Sequence, residues 1–468
     1  MKIKFGTDGW RAIIANEFTV ANVERVAYAT AAWLKKRKPN NCVVVGYDCR
    51  FGGKLFAHTV AKIMGSEGIM TFVSNDFVST PMISLGTIQH KADLGIIITA
   101  SHNPPEYNGF KLKGSYGGPL LPHWVEEIEN LIPDVSPVQA EAVNIETLIN
   151  KGLLEYTDLE DLYVRHVETN FDLAAIKNSG IRLAYDAMYG AGQRVVQRIL
   201  PDITFLHCDY NPSFKGQAPE PIHKNLTEFS NLIKNSGNID CGLVTDGDAD
   251  RIGLYNSKGE FVDSHHIILL LIYYLYHHKN IRDKICTAFS TTNKVAILCK
   301  HLELPLEVVK IGFKYICNVM LNEKVMVGGE ESGGIAIAGH IPERDGIWIG
   351  LTLFEFMAKS GKNIDQLIEE VYAITGPFAF ERSDLHLTEE LKSSILANCK
   401  AGAFTSFGDQ KVEKLETLDG FKYHLNENEW VMVRASGTEP ILRVYAESST
   451  REGAFRILEN ARKTLLGS

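Results

Sequence analysis

The chain has 468 residues, of which 45% are hydrophobic and 22% charged, and its formal net charge is −9. That length exceeds what one hydrophobic core organises and implies about three or four domains. The acidic balance argues against a general nucleic-acid or anionic-membrane surface. An anionic small substrate fits only if its positive charge is local, in a pocket of a few Arg and Lys. The amino terminus has no apolar signal region, and the longest apolar run, Ile267 to Tyr276, is about half of a bilayer crossing. His265-His266 and His277-His278 flank that run. With no Cys or carboxylate at the same spacing, it reads as a buried helix with polar ends. The eight Cys show no CxxC and no framework spacing, so reduced thiols of a cytoplasmic protein are expected.

In chain order, Lys4 to Arg11 set two glycines, an Asp and an Arg in a tight loop, which presents the Arg11 guanidinium for a bidentate grip on phosphate. A strand–polar loop–helix–strand unit then recurs three times. The first copy runs from a strand at 41–48 through a helix at 55–65 and a strand near 71–73. It ends in the buried strand 96–99, which Asn103-Pro104-Pro105 stops abruptly. The second has a strand at 181–186, a helix at 194–200, a strand at 203–207 and a strand at 241–246. The third has strands at 285–289, 306–310 and 325–330 around a helix at 294–301. A last segment mixes short strands at 430–434 and 442–447 with helices at 389–397 and 452–465. The order of elements predicts an α/β chain of three similar mixed-sheet α/β domains (1–150, 151–260, 261–375). A smaller C-terminal α+β domain (376–468) completes them around a central cleft.

Each unit delivers one polar loop to the carboxyl end of a strand, where open α/β sheets bind ligands. Ser101 and His102 lie in the first. In the second, Asp246, Asp248 and Asp250 alternate at i, i+2, i+4, a spacing that lets three carboxylates converge on one hard cation such as Mg²⁺. An EF-hand is excluded, because Arg251 stands where the sixth-position Gly belongs and Ser257 where the twelfth-position Glu does. Arg251 beside the triad suits a phosphate that sheds charge during transfer. The third loop, Gly328 to Gly334, is Gly-rich but acidic, so Glu330 and Ser332 suit sugar hydroxyls better than phosphate. Arg434-Ala-Ser-Gly-Thr-Glu-Pro440 has the make-up of an anion nest, with Arg434, Ser436, Gly437 and Thr438 as its donors.

Four of these stretches, Thr99 to Pro104, Asp246 to Arg251, Gly329 to Gly333 and Arg434 to Pro440, follow Phe5 to Arg11 in one order. Taken together, they resemble the α-D-phosphohexomutases over essentially the whole chain. The resemblance implies that Ser101 carries a phosphoryl group, and that Asp246, Asp248 and Asp250 with that phosphate hold one Mg²⁺. It implies that Glu330 and Ser332 contact the sugar 3- and 4-hydroxyls, and that Arg434, Ser436, Gly437 and Thr438 bind the distal phosphate. It also picks out Arg11, His102, Lys111 and Lys314, with either lysine as acid or base, and His340 and Arg344 as substrate contacts. The partners it implies are sugar phosphates, with a glucose 1,6-bisphosphate-type activator.

The expected activity is interconversion of hexose 1- and 6-phosphates of glucose or mannose. Gly333-Gly334 after Ser332, where some relatives have Gly-His, fits those branches better than phosphoglucosamine mutase, the runner-up. Two other classes fit parts of the pattern. Leu243 to Asp248 suits an aspartyl-phosphate phosphatase of the haloacid-dehalogenase type, with Asp246 as nucleophile, and a non-catalytic sugar-phosphate sensor would keep the same pocket.

Overall fold

The computed structural model describes residues 2–6, 8–435 and 441–467. Ser436, Gly437 and Thr438 of the expected anion nest therefore lie outside the described residues. The chain divides into two compact units, Met1–Arg282 with Gly312–Leu367, and Asp283–Ile311 with Ile368–Ser468.

The first unit opens on a six-stranded mixed sheet. Its strands are β1 (Trp10–Ile13), β2 (Cys42–Tyr47), β3 (Met70–Ser74), β4 (Leu94–Ile98), β5 (Tyr107–Gly114) and β6 (Leu154–Thr157), in the order β1-β5-β4-β2-β3-β6. β2 and β4 run parallel, with Val45 beside Ile96, and every residue of β4 is buried. A β-branched run covered on both faces is what a central parallel strand requires. β5 returns antiparallel to β4 and sets Lys111 beside Ile97. The sequence reading misses this hairpin, because Pro104-Pro105 announces only a stop and the strand that follows is half polar.

A second sheet holds β7 (Leu183–Asp186), β8 (Thr204–Leu206), β9 (Cys241–Thr245), β10 (Ile252–Asn256) and β11 (Phe261–Val262), in the order β11-β10-β9-β7-β8. β9 is parallel to β7 and antiparallel to β10, so the Asp246 loop is the turn at the carboxyl end of a fully buried strand. The unit also contains the antiparallel pair Val325–Gly329 and Ile335–Ile337, with Glu330 to Gly334 between them. The apolar run forms the helix Ser264–His277, capped by the Asp263 carboxylate accepting the His266 N–H and buried along most of its length. Among the described residues, no helix is long and apolar enough to cross a membrane.

In the second unit, Lys284–Ala288 and Leu306–Val309 pair in parallel. A five-stranded sheet orders Ala379–His386, Ile441–Ser448, Trp430–Ala435, Phe421–His424 and Lys414–Glu416 side by side. The helices Glu389–Lys400 and Arg451–Leu466 bury Ile395, Ile457 and Ala461 against that sheet's Val431, Val433 and Val444.

Candidate active site

Ser101 sits three residues past β4 with φ +53°, in the left-handed region that non-glycine residues rarely adopt. Two bonds hold it there: its N–H donates to Thr99 Oγ1 at 2.9 Å, and the Thr99 hydroxyl donates to the Asp48 carboxylate. Burial pushes the Asp48 carboxyl up to about 6, with the Arg50 guanidinium opposing. The Ser101 hydroxyl donates to Asp246 Oδ2 at 2.8 Å, and His102 Nδ1 lies 3.3 Å from the same Oγ. Burial, with the cations Arg251, Arg11, Lys111 and Arg50 around it, holds His102 well below the usual imidazole range. A neutral ring so placed can accept or donate a hydrogen bond, but the surrounding cations disfavour a proton on it.

The carboxylate loop is stitched from three sides. The carbonyls of Gly247, Asp248 and Ala249 accept N–H bonds from Ala191, Thr80 and Gly346 at 2.9, 3.0 and 3.0 Å. Ala249 has φ +57°, and a Cβ on Gly247 would lie 2.5 Å from the Ser101 carbonyl oxygen, so only glycine lets the two loops touch. Asp246, Asp248 and Asp250 are each fully buried, and one oxygen of each lies within 4.8 Å of the others. Asp246 Oδ1 accepts the backbone N–H of Asp250 and Arg251, whereas Asp248 Oδ1 and Asp250 Oδ1 have no hydrogen-bond partner. Burial, then the two neighbouring carboxylates, pushes the Asp246 carboxyl well above its ordinary value. Three converging buried carboxylates, two of them with an unpartnered oxygen, are a set that a hard divalent cation satisfies. The residues therefore fit Mg²⁺.

The positive charge around this triad is local, as the composition required. Lys111 Nζ, on β5, lies 2.7 Å from Asp248, 3.4 Å from Asp250 and 3.0 Å from Asp8. Arg344 Nη2 lies 2.6 Å from both Asp8 and Asp250. Arg11 donates to Asn103 Oδ1 at 2.7 Å and approaches Asp8 at 3.9 Å. Burial alone would raise Asp8, but Lys111, Arg344, Lys113 and Arg11 outweigh it and hold that carboxyl well below its ordinary value. Asp8 thus organises four cations, and the sequence reading gives it no role. It also gives none to Thr80, which donates to Asp248 Oδ2 at 2.6 Å, or to the buried Lys113–Glu343 pair at 2.5 Å. Asp8 lies inside a motif whose arginine draws the attention, while the alternation along β5, Lys111 then Lys113, is the available signal for the second lysine.

The remaining expected residues are distributed as follows. Glu330 is buried and accepts the Gly312 N–H at 2.9 Å; burial pushes its carboxyl up to about 7, partly offset by Arg344. Its loop abuts the carboxylate loop through the Arg251–Gly334 bridge, and Gly333, at φ +87°, lies where a Cβ would meet the Ile252 carbonyl at 2.5 Å. Ser332 is half-buried in that turn. Arg251 Nη1 lies 3.9 Å from Glu220. Lys314 is the second residue of the helix Phe313–Asn322, its ammonium 5.5 Å from the Tyr315 ring centre. His340 lies near Arg344 in the chain. Its ring stacks on Trp348 at 3.8 Å, and its nitrogens meet His166 at 3.2 Å and Asp345 at 2.9 Å, so both are engaged in the packing of that region. Arg434 lies in the second unit, where it pairs with Asp419 at 3.4 Å.

Family models described as phosphoglucomutase/phosphomannomutase α/β/α domains I, II and III and C-terminal domain match residues 2–138, 161–259, 263–374 and 396–464. A phosphoglucomutase/phosphomannomutase of Thermococcus kodakarensis is 29% identical over 466 residues, covering 98% of each chain. A phosphoglucosamine mutase of Methanocaldococcus jannaschii is 28% identical over 98% of this chain and 97% of its own. The crystal structure of a candidate phosphomannomutase from Thermus thermophilus superposes with a TM-score of 0.87 at 32% identity, covering 99% of both chains. With matching domains along the chain and a Ser101–carboxylate–lysine cluster in the fold they describe, this chain belongs to the α-D-phosphohexomutase superfamily and is an isomerase of the phosphohexomutase type.

Proposed function

We propose that the chain interconverts hexose 1-phosphate and hexose 6-phosphate, of glucose or mannose, through a phosphoserine at Ser101 and a bisphosphorylated sugar. The observation that carries this reading is the 2.8 Å contact of Ser101 Oγ with Asp246 inside a buried carboxylate triad that faces Lys111 and Arg344. In the forward half-reaction the P–O bond to Ser101 Oγ breaks and a new one forms to the free sugar hydroxyl, whose proton a neighbouring base accepts. The bisphosphate then turns over, and its other phosphoryl returns to Ser101.

Asp246, Asp248 and Asp250 would hold Mg²⁺ together with an oxygen of the Ser101 phosphate. The cation supplies charge stabilisation to the transferring group. Lys111 and Arg344 set positive charge beside the same carboxylates, Lys111, held as an ammonium by its three carboxylate partners, serves as the acid with Lys314 as the candidate base, and Arg11 steadies the Ser101 loop through Asn103. Glu330 and Ser332 orient the sugar by its hydroxyls, and the 434–438 segment takes the distal phosphate. His340 and Arg344 are the further substrate contacts of this reading. A glucose 1,6-bisphosphate-type activator would reload a dephosphorylated Ser101. The four-domain division at 1–150, 151–260, 261–375 and 376–468 belongs to the same reading.

A second substrate is favoured by one observation, the 28% identity to a phosphoglucosamine mutase along nearly the full chain. A coupled assay comparing glucose, mannose and glucosamine 1-phosphates separates the two. Faster turnover of the glucose or mannose ester supports the first reading, and preference for the glucosamine ester replaces it with the second.

A further inference from the structure

One buried side chain near Ser101 belongs to neither the metal set nor the substrate set. Arg50 follows β2, and its side chain has no solvent exposure. Its guanidinium donates to four backbone carbonyls of a single loop: Nη2 to Ser101 and Asn103, both at 2.6 Å, and Nη1 to Pro104 at 2.8 Å and Tyr107 at 3.0 Å. Nε faces Asp48 Oδ2 at 3.4 Å. Asp48 in turn accepts from Thr99, and Thr99 accepts the Ser101 N–H, so the contacts close a ring around the serine. A loop with two prolines has few N–H groups with which to fold on itself, and its outward carbonyls need donors. Only a planar guanidinium offers four N–H groups in a fixed fork; an ammonium has three and no plane.

The clamp has a cover. Phe214 is buried, with its ring centre 5.0 Å from the Arg50 guanidinium carbon. It sits in the segment between β8 and the helix Thr227–Ser236, at φ +47° with Lys215 at φ +50°. The same segment reaches the carboxylate loop, where the Pro219 carbonyl accepts the Gly247 N–H at 3.3 Å and Glu220 faces Arg251. One strip of chain therefore spans both loops that must stay in register for transfer.

We propose that Arg50, seated under Phe214, is a positioning residue: it holds the Ser101 loop in its left-handed conformation and aims the Ser101 oxygen at the carboxylate triad. It touches neither substrate nor cation. The proposal rests on the reading of Ser101 as phosphoryl carrier, and the first measurement isolates that dependence. Wild-type protein treated with glucose 1,6-bisphosphate is digested and the Ser101 peptide weighed; absence of phosphate there removes the carrier reading itself, whatever Arg50 does.

With phosphate present, Arg50→Lys and Phe214→Leu are compared with wild type for kcat, KM and the rate of Ser101 phosphorylation, each normalised to the folded fraction from circular dichroism. A misplacement of about 1 Å costs on the order of 10²-fold in rate. Arg50→Lys is therefore expected to lose roughly that factor in kcat and in phosphorylation rate, with KM within about twofold. Phe214→Leu is expected to lose about tenfold in the same direction. Wild-type kcat in both folded variants overturns the proposal, and so does a loss confined to KM or one that vanishes on normalisation. If Arg50→Lys does not fold, Phe214→Leu decides by the same split.

Discussion

Lys111 Nζ lies 2.7 Å from Asp248 Oδ2 although 137 positions separate the two residues, and both side chains are essentially sealed from solvent. Burial opposes both charges, yet the Lys111 ammonium is held above its ordinary value by Asp248, Asp8 and Asp250, and Asp248 is held below its own by Lys111. Such a pair contributes little net stability but is costly to break from one side. Lys111→Met is expected to lower unfolding stability by about 3–5 kcal/mol, read from the urea midpoint. A loss below about 1 kcal/mol, the size of a solvated pair, would contradict the burial argument.

Removing the hydroxyl at position 101 separates transfer from binding. Ser101→Ala is expected to lose at least about 10³-fold in turnover while titration calorimetry still detects hexose-phosphate binding. Phosphate found by peptide mass spectrometry on Asp246 instead of Ser101 would move the chemistry to an aspartyl-phosphatase class.

The two unpartnered carboxylate oxygens predict a cation requirement. Chelation should abolish turnover, and Mg²⁺ at about 100 times its Kd should stabilise the protein by about 2.7 kcal/mol through mass action. Asp248→Asn should lose most of that stabilisation. Full activity in metal-free buffer would sink the metal assignment.

Glu330 predicts a pH dependence of binding. Its carboxyl is raised from 4.5 to about 7 by burial, so between those values the folded protein holds a proton that the unfolded chain releases. Its contribution to stability is full below about pH 4.5 and declines as pH rises through 7. The deprotonated carboxylate is the better acceptor for sugar hydroxyls, so KM should rise as pH falls from about 8 to 6. Glu330→Gln should bind more weakly at pH 8 and show a flat KM profile over that range; an unchanged slope would assign the titration elsewhere.

Gly247 tests the contact between the two loops. A Cβ there would stand 2.5 Å from the Ser101 carbonyl oxygen and 3.0 Å from Pro219 Cγ. Gly247→Ala must push the serine loop off the triad, and kcat should fall about 10²-fold with KM little changed. Wild-type turnover would mean that the loops do not need to touch.

Local spacing carried much of the site. Three Asp at alternate positions after a buried strand, a serine before Asn-Pro-Pro, and a Gly-rich acidic turn each announce themselves within ten residues, because turn geometry and strand ends are encoded locally. The strand and helix runs that deliver them were legible for the same reason. The pairings that make these loops one site were not. Asp8 gathers Lys111 and Arg344 only because β1 pairs with β5 and because Arg344 arrives from a segment more than 300 positions away. His340 likewise meets His166 and Asp345 only in the folded chain. Arg50 looked like any polar residue after a strand until four carbonyls met it. Which charges become neighbours depends on sheet register and on how completely water is excluded. Both are properties of the assembled fold, and no stretch of ten residues contains them.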